Sequence, residues 1–597
     1  MDRKANHLEF TLLNKLCRQK IAEDHQDFAR RKLLEAAVNR ASLKKVKRDI
    51  AEYRHVIPCL KVPDGSRQSS RAGMESIVSK FYTDLYKSNL RPNRQQPAGK
   101  EVPSILPSEV RHATESMPRG KAPGTDKLSV ELLQACGDKL YCALAKRFTV
   151  YISECKVPAA WKESSAVLLF KKGDKEDLEN YRPITLLPVL YKVFTRCILT
   201  RIRGTLEEAQ PVEQAGFRKG YSTLDHIPTC CRLIEVAQEY HEPLVLTFVD
   251  YKKAFDSVEP AKVWEALEEQ GVETRYTKIL QECYTGCHTV FRPFCRDVAV
   301  AVERGVRQGD PIFPCLFSAR LESTIRRCDW EPFGVEVNGV RLNHMRFADD
   351  IVLVTKTPED ASRMLNGLHE AGKEAGLTIN TTKTKVLRNS FCSLEPVLLQ
   401  GVALEDVKEY VYLGRLVNMK NDLKPEIERR KRAGWAAYNS IRTVLERASN
   451  SKLRADLFNS TVLPALCYAC ETWSLTRKAE DQLRRVQISI ERRMAGMTLR
   501  KQRLLRLHNN DVRAMTKVRD IVLHADEAKH HFAGHKRPRG RPSLRWQDFL
   551  AYRNNVRDDN SMKLRVDWRT AARDRSIWRR RWDPRKSNRR AEERVVR

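Results

Sequence analysis

The chain has 597 residues, and its 109 Lys and Arg against 76 Asp and Glu leave a net charge of +33 at pH 7. That excess is too large for an ordinary metabolic enzyme and points to a polyanionic partner, nucleic acid before a merely solvated basic surface. Apolar residues at 41% exclude global disorder, and no apolar run nears the roughly 18 residues of a bilayer span.

In chain order, the N-terminal MDRKANHLEF lacks the apolar segment of a signal peptide. Asp27 to Tyr53 is helix-patterned and basic, readable as an RNA-contacting arm or as a solvated helix. Pro63-Asp64-Gly65-Ser66 is a turn signature, and Arg91 to Pro107 reads as a linker. From about Ser108 to Arg388, short β-rich runs alternate with helical segments. Val167 to Phe170 is one strand candidate. Leu244 to Val249 is another, apolar apart from Thr247, as a strand buried on both faces should be. Pro260 opens a helical segment that Gly271 closes. Met345 to Phe347 and Ile351 to Val354 flank an Ala-Asp-Asp turn, which predicts a hairpin. Thr357 and Pro358 sign the start of a further helix that Gly376 ends. Pro425 to Arg500 is almost wholly helical in pattern. A basic tail with Trp546, Trp568, Trp578 and Trp582 follows the KRPRGRP cluster, and suits RNA binding by charge and stacking or a small helical cap.

The 16 cysteines, scattered in a chain without a secretory signal, read as reduced intracellular thiols. Cys467 and Cys470 form an isolated pair, and Cys283, Cys287 and His288 a loose trio. Neither has the second ligand pair expected of a zinc site.

Three acids stand out. Asp250 lies directly after a predicted strand, and Asp349 and Asp350 at the tip of the predicted hairpin. Strand exits and hairpin turns bring distant carboxylates to one sheet edge, where their repulsion demands a cation. Hard oxygen ligands select Mg²⁺ or Mn²⁺, and two such ions about 4 Å apart can activate a 3′-hydroxyl and stabilise a leaving pyrophosphate. Between these acids lies RGVRQGDPIFPCLF, where Gly305 and Gly309 permit close approach to a ligand and Asp310-Pro311 look like the N-cap and first turn of a helix.

FVDYKKAFDSV at Phe248 to Val258, RQGDP at Arg307 to Pro311 and FADD at Phe347 to Asp350 together resemble the reverse transcriptase of non-LTR (LINE-type) retrotransposons. KAPGTDKLSVELL from Lys121, WKESSAVLLFKKGD from Trp161, NYRPITLL from Asn180, QAGFRKGYST from Gln214, GLTINTTKTKV from Gly376 and YVYLG from Tyr410 extend the likeness over roughly 100 to 420, in family order. The flanks VLPALCYACETW and GRPSLRW are most similar to the RTE-like branch.

The resemblance implies an α+β right-hand polymerase: fingers and a palm with a small antiparallel sheet over 100–420, and a helical thumb over 421–500. Basic helical extensions would occupy 1–99 and 501–597. It implies Asp250, Asp349 and Asp350 as the catalytic, metal-holding triad with two Mg²⁺ or Mn²⁺ ions, Asp350 the weaker direct ligand. Phe255 matches an aromatic gate against the ribose 2′-hydroxyl, with core packing as its rival role. Lys171 (with Lys172 adjacent) and Arg182 match fingers positions on the triphosphate. Gln308 and Gly309 would line the nascent base pair, and Lys383, with Lys385 as rival, would sit near the pyrophosphate. Tyr412, Leu413 and Gly414 would grip the primer, or form a plain edge strand. Tyr221, Phe313 and Cys315 depart from the commoner family residues.

The implied reaction is RNA-templated addition of dNTPs to a DNA 3′-end, the partners being an RNA template, a DNA primer or target and dNTPs, with no membrane. About 100 residues precede the first polymerase block, too few for the family's endonuclease, so a separate or upstream endonuclease would supply the nick. The chain then reads as part of a longer reading frame or a fragmentary gene copy, in an intracellular ribonucleoprotein of cytoplasm and nucleus. Rival readings are a catalytically inactive nucleic-acid-binding remnant and an RNA-dependent RNA polymerase, the latter disfavoured by the bulky Phe255.

Overall fold

A run of β-branched and aromatic residues with no polar face must be covered on both sides, and the strand Val245–Val249 is buried at every position. The computed structural model that contains it describes residues 7–38, 46, 57–62, 64–88, 90, 99–294, 296–337, 339–448 and 450–533. The KRPRGRP cluster, the four tail tryptophans and residues 91–98 of the Arg91 to Pro107 linker lie outside the described residues.

The strands of the two main sheets are, in chain order, β1 (Glu163–Phe170), β2 (Tyr181–Leu186), β3 (Val245–Val249), β4 (Cys287–Phe291), β5 (Val298–Val302), β6 (His344–Phe347), β7 (Asp350–Thr355), β8 (Lys385–Arg388) and β9 (Glu405–Asp406). One sheet has five strands in the order β6-β7-β3-β8-β9, antiparallel except for the β8–β9 pair. The other has four in the order β2-β1-β4-β5, with β1 and β4 parallel.

The molecule divides into two compact units. One comprises Ile57–His226 and Leu233–Leu413 and holds both sheets. Its core joins β3 and β7 to the helices Val189–Glu208, Pro260–Glu269, Phe313–Arg326 and Pro358–Glu374 through residues such as Phe194, Leu267, Leu316 and Leu368. The helix Pro358–Glu374 starts as its sequence predicts: the Thr357 hydroxyl accepts the Asp360 amide at 3.1 Å. The helix expected at Asp310 begins three residues later, at Phe313 with Pro314 in its first turn. Asp310 turns inward instead: its carboxylate accepts the hydroxyls of Tyr191 at 2.6 Å and Tyr284 at 3.4 Å.

The other unit contains the described residues of Met1–Val56, Ile227–Arg232 and the chain from Gly414 onward. It is helical, with Lys424–Arg447 and Arg477–Met494 packed about the fully buried Trp473. Cys467 and Cys470 are buried in this core. No helix among the described residues is long and apolar enough to cross a membrane.

Candidate active site

The register of the five-stranded sheet gathers the acids. Ile351 of β7 pairs with Val249 of β3, and Asp350 pairs back to Phe347. Asp250 is therefore next to Asp350 across an antiparallel pair, where Cα atoms lie about 5 Å apart. Asp349 occupies the turn just beyond. The Asp250 backbone is pinned on both sides, its amide donating to the Thr384 hydroxyl at 3.2 Å and its carbonyl accepting the Asn380 amide at 2.7 Å. Its carboxylate Oδ2 is buried with no hydrogen-bond partner. Burial holds the Asp349 carboxyl above its usual range, with the Asp250 charge pushing the same way. Asp350 is pushed up to about 6 by burial, then by Asp349 and Asp250. Mutual repulsion of this kind is relieved by a cation.

The turn that carries Asp349 is clamped from outside. Ala348 is left-handed, with φ of 60°. The Gln214 side chain accepts the Ala348 amide at 3.3 Å and donates to the Ser318 hydroxyl at 3.1 Å. Gln214 also forms a parallel bridge with Arg346, reinforced by the Ala215 amide donating to the Arg346 carbonyl at 2.9 Å. A Cβ on Gly216 would stand 2.4 Å from the Ala348 nitrogen, so only glycine lets these two backbones approach.

Cations surround the acids. Lys383 Nζ lies 3.9 Å from Asp250 Oδ2. Lys385 is committed elsewhere, to Glu405 at 2.6 Å and the Thr382 carbonyl at 2.7 Å. Arg182 projects from β2, and Lys171 follows β1, its amide donating to the Asn180 carbonyl at 2.9 Å. The Lys171 ammonium is held below its usual range by partial burial and then by Arg182 and Lys383, while Asp250 opposes them. Four of the predicted residues thus share one electrostatic neighbourhood.

Phe255 lies on the short helix Ala254–Ser257, half-buried, with its ring against Phe313 (centroids 5.5 Å) and Phe317 (4.6 Å). Phe313, one of the departures from the family pattern, thus forms the wall behind it. Gln308 and Gly309 run beside β2: the Gln308 carbonyl accepts the Thr185 amide at 2.9 Å, and a Cβ on Gly309 would stand 2.4 Å from the Thr185 carbonyl oxygen. Arg307 is buried, donating to the Cys283 carbonyl at 2.7 Å and lying over the rings of Tyr191 and Tyr284. Cys287, from the loose trio, is buried at the start of β4 and contacts the same guanidinium.

Tyr412 is buried at the end of the strand Glu409–Tyr412, and its hydroxyl meets His226 Nδ1 at 3.2 Å. Leu413 and Gly414, both with positive φ, make the turn after it. Tyr410, not singled out from the sequence, stacks on Phe248 at 4.1 Å. Its phenol is pushed up to about 12 by burial and then by Asp350 and Asp250. Asp256 and Gln214 were equally invisible as individuals. The only sequence signal was their place inside recognisable blocks.

Carboxylates are the donors that Mg²⁺ or Mn²⁺ prefers. Among the described residues no group of three His, Cys, Asp or Glu is set closely enough to hold an ion unaided. Mg²⁺ takes one or two carboxylates and completes its shell with water and substrate phosphates. Asp250 Oδ2, which takes no hydrogen bond, is an oxygen that could serve as such a ligand.

A sheet carrying acids at one edge, with Lys and Arg suited to phosphate beside them, is an arrangement that can perform phosphoryl transfer. Residues 170–416 match the family model described as reverse transcriptase (RNA-dependent DNA polymerase). An uncharacterized transposon-derived protein of Caenorhabditis elegans is 39% identical over 269 residues, 41% of this chain and 96% of that protein. The RNA-directed DNA polymerase from mobile element jockey of Drosophila funebris is 25% identical, over 70% of this chain and 47% of its own length. The Pol polyprotein from the type-1 retrotransposable element R2 of Popillia japonica is 23% identical, over 62% of this chain and 52% of its own length. The chain thus spans nearly all of the first relative and about half of the other two. It belongs to the reverse transcriptases of non-LTR, LINE-type retrotransposons.

Proposed function

We propose that this protein is an RNA-directed DNA polymerase that extends a DNA 3′-end with dNTPs on an RNA template. The observation that carries the reading is the convergence of Asp250, at the exit of β3, with Asp349 and Asp350, at the turn between β6 and β7, where a buried Asp250 oxygen takes no hydrogen bond and has Lys383 beside it. Two Mg²⁺ or Mn²⁺ ions, when bound, supply charge neutralisation at the attacking and leaving oxygens. Asp250 and Asp349 are the principal donors, with Asp350 supporting them. Lys171 and Arg182 bind the triphosphate, and Lys383 faces the pyrophosphate. Phe255 excludes a ribose 2′-hydroxyl, and Gln308 and Gly309 line the nascent pair. Tyr412, Leu413 and Gly414 hold the primer end.

In this reading 100–420 are fingers and palm, 421–500 the thumb, and 1–99 and 501–597 basic extensions. The likeness of VLPALCYACETW and GRPSLRW to the RTE-like branch supports membership of that branch. An endonuclease, upstream or separate, provides the nick, and the enzyme acts within a ribonucleoprotein of cytoplasm and nucleus.

Primer extension on poly(rA)–oligo(dT) tests this. Synthesis should require Mg²⁺ or Mn²⁺, stop with EDTA and disappear in Asp250→Asn and Asp349→Asn, while RNA binding is retained. Near-normal synthesis by either variant overturns the assignment.

A further inference from the structure

Asp256 has no part in the roles above, yet it is 6% exposed and sits directly after Phe255. Burying a carboxyl is costly unless it is engaged. Its two oxygens lie 3.2 and 3.3 Å from one atom, Nε2 of Gln308. A carboxylate only accepts hydrogen bonds, so it can hold the NH₂ end of an amide and repels the carbonyl end. The backbone around Gln308 is fixed independently: Thr185 donates to the Gln308 carbonyl at 2.9 Å, and Val306 donates to the Phe255 carbonyl at 2.8 Å. The loop is thus tied to β2 on one side and to the helix of Phe255 and Asp256 on the other. What remains free to turn is the side-chain amide, and Asp256 is the group placed to stop it. Lys253 and Arg182 supply the positive charge that Asp256 faces, the Lys253 ammonium being buried without a hydrogen-bond partner above the Phe81 ring at 4.2 Å.

We propose that Asp256 is a positioning residue: it locks the Gln308 amide with its NH₂ inward, so that Gln308 offers the substrate side a hydrogen-bond acceptor and never a donor. A glutamine free to flip would present either end, and the same site would then recognise nucleotides less well and less selectively. The role rests on the polymerase reading, in which Gln308 lines the nascent base pair.

Two measurements at about pH 8.5 test it. The first is steady-state incorporation. Asp256→Ala should raise the KM for dNTPs about tenfold and leave kcat within about twofold, as expected for one lost charge-assisted hydrogen bond that orders a binding group. The double variant Asp256→Ala/Gln308→Ala should be no worse than Gln308→Ala alone, because the two act as one unit. Asp256→Asn keeps an acceptor and should stay within about threefold of the parent. An unchanged KM in Asp256→Ala, or additive effects in the double variant, refutes the proposal.

The second measurement needs no activity. In protein labelled with ¹⁵N-glutamine, the Gln308 side-chain amide, identified by its loss in Gln308→Glu, should exchange slowly with solvent. It should exchange at the rate of a free amide in Asp256→Ala, or in Asp256→Ser should the alanine variant not fold. Equal exchange in parent and variant refutes the lock. A parent protein that makes no DNA defeats the polymerase reading, and the labelled amide still decides the role of Asp256.

Discussion

The melting temperature of Asp256→Asn relative to the parent should rise with pH. The carboxyl of Asp256 is pushed up to about 7 by burial, against the opposing pull of Lys253, Arg182 and Gln308; its ordinary value is 3.8. A carboxyl raised in the folded state favours folding fully below about 3.8, and that contribution is lost as pH climbs through about 7. The gap of about 3 pH units, at 1.36 kcal/mol each, is about 4 kcal/mol over the whole interval. Between about pH 5 and about pH 8.5 roughly 3 kcal/mol of it is withdrawn. Asparagine has nearly the same shape and does not titrate. The melting temperature of Asp256→Asn relative to the parent should therefore increase by roughly 3–6 °C between those two pH values. Differential scanning fluorimetry across the series measures it. A difference that stays constant within about 1 °C would mean that Asp256 is either not enclosed or already neutralised, and the burial argument fails.

Three further outcomes are expected. Gly216→Ala pushes a methyl into the backbone at Ala348 and displaces Asp349, so primer extension should fall roughly 100-fold with RNA binding intact. Phe255→Ala should raise UTP use relative to dTTP by about tenfold or more, and Phe313→Ala, which removes the wall behind the ring, by less. Lys383→Ala should cut incorporation by about tenfold, whereas Lys385→Ala, which releases only Glu405 and a carbonyl, should change it by about twofold or less.

Local patterns carried much of the fold. Leu244 to Val249 could be read as a strand because every position is apolar or small, and the Ala-Asp-Asp turn because apolar runs flank it on both sides. Thr357-Pro358 announced a helix through its capping chemistry. The four-stranded sheet was much less visible. Cys287–Phe291 pairs parallel with Glu163–Phe170, more than 100 residues away, and nothing local marks a parallel partner. Asp310 reads as a cap because aspartate before proline often is one. Two buried tyrosine hydroxyls turned it inward. Motif order singles out the three acids and the cations near them, and the register shows how residues so far apart in the chain come together. Gln214 and Asp256 were not, because each acts on a group distant in sequence: the amide of Ala348 and the side chain of Gln308. Lys383 and Lys385 are alike in the sequence and differ in space: the first lies beside Asp250, and the second is paired with Glu405.

The central strand of the acid-bearing sheet also has a history on the ribosome. β3 is flanked by β7 and β8, which are synthesised about 100 and about 140 residues after it. At 5–20 residues per second, the second partner arrives roughly 7–28 s later. Throughout that interval five consecutive core residues, open along both edges, are available to any other extended chain nearby. Translation of this protein should accordingly lean on chaperones that shield nascent apolar segments, and the yield of soluble enzyme should depend on the pace of elongation between codons 250 and 390.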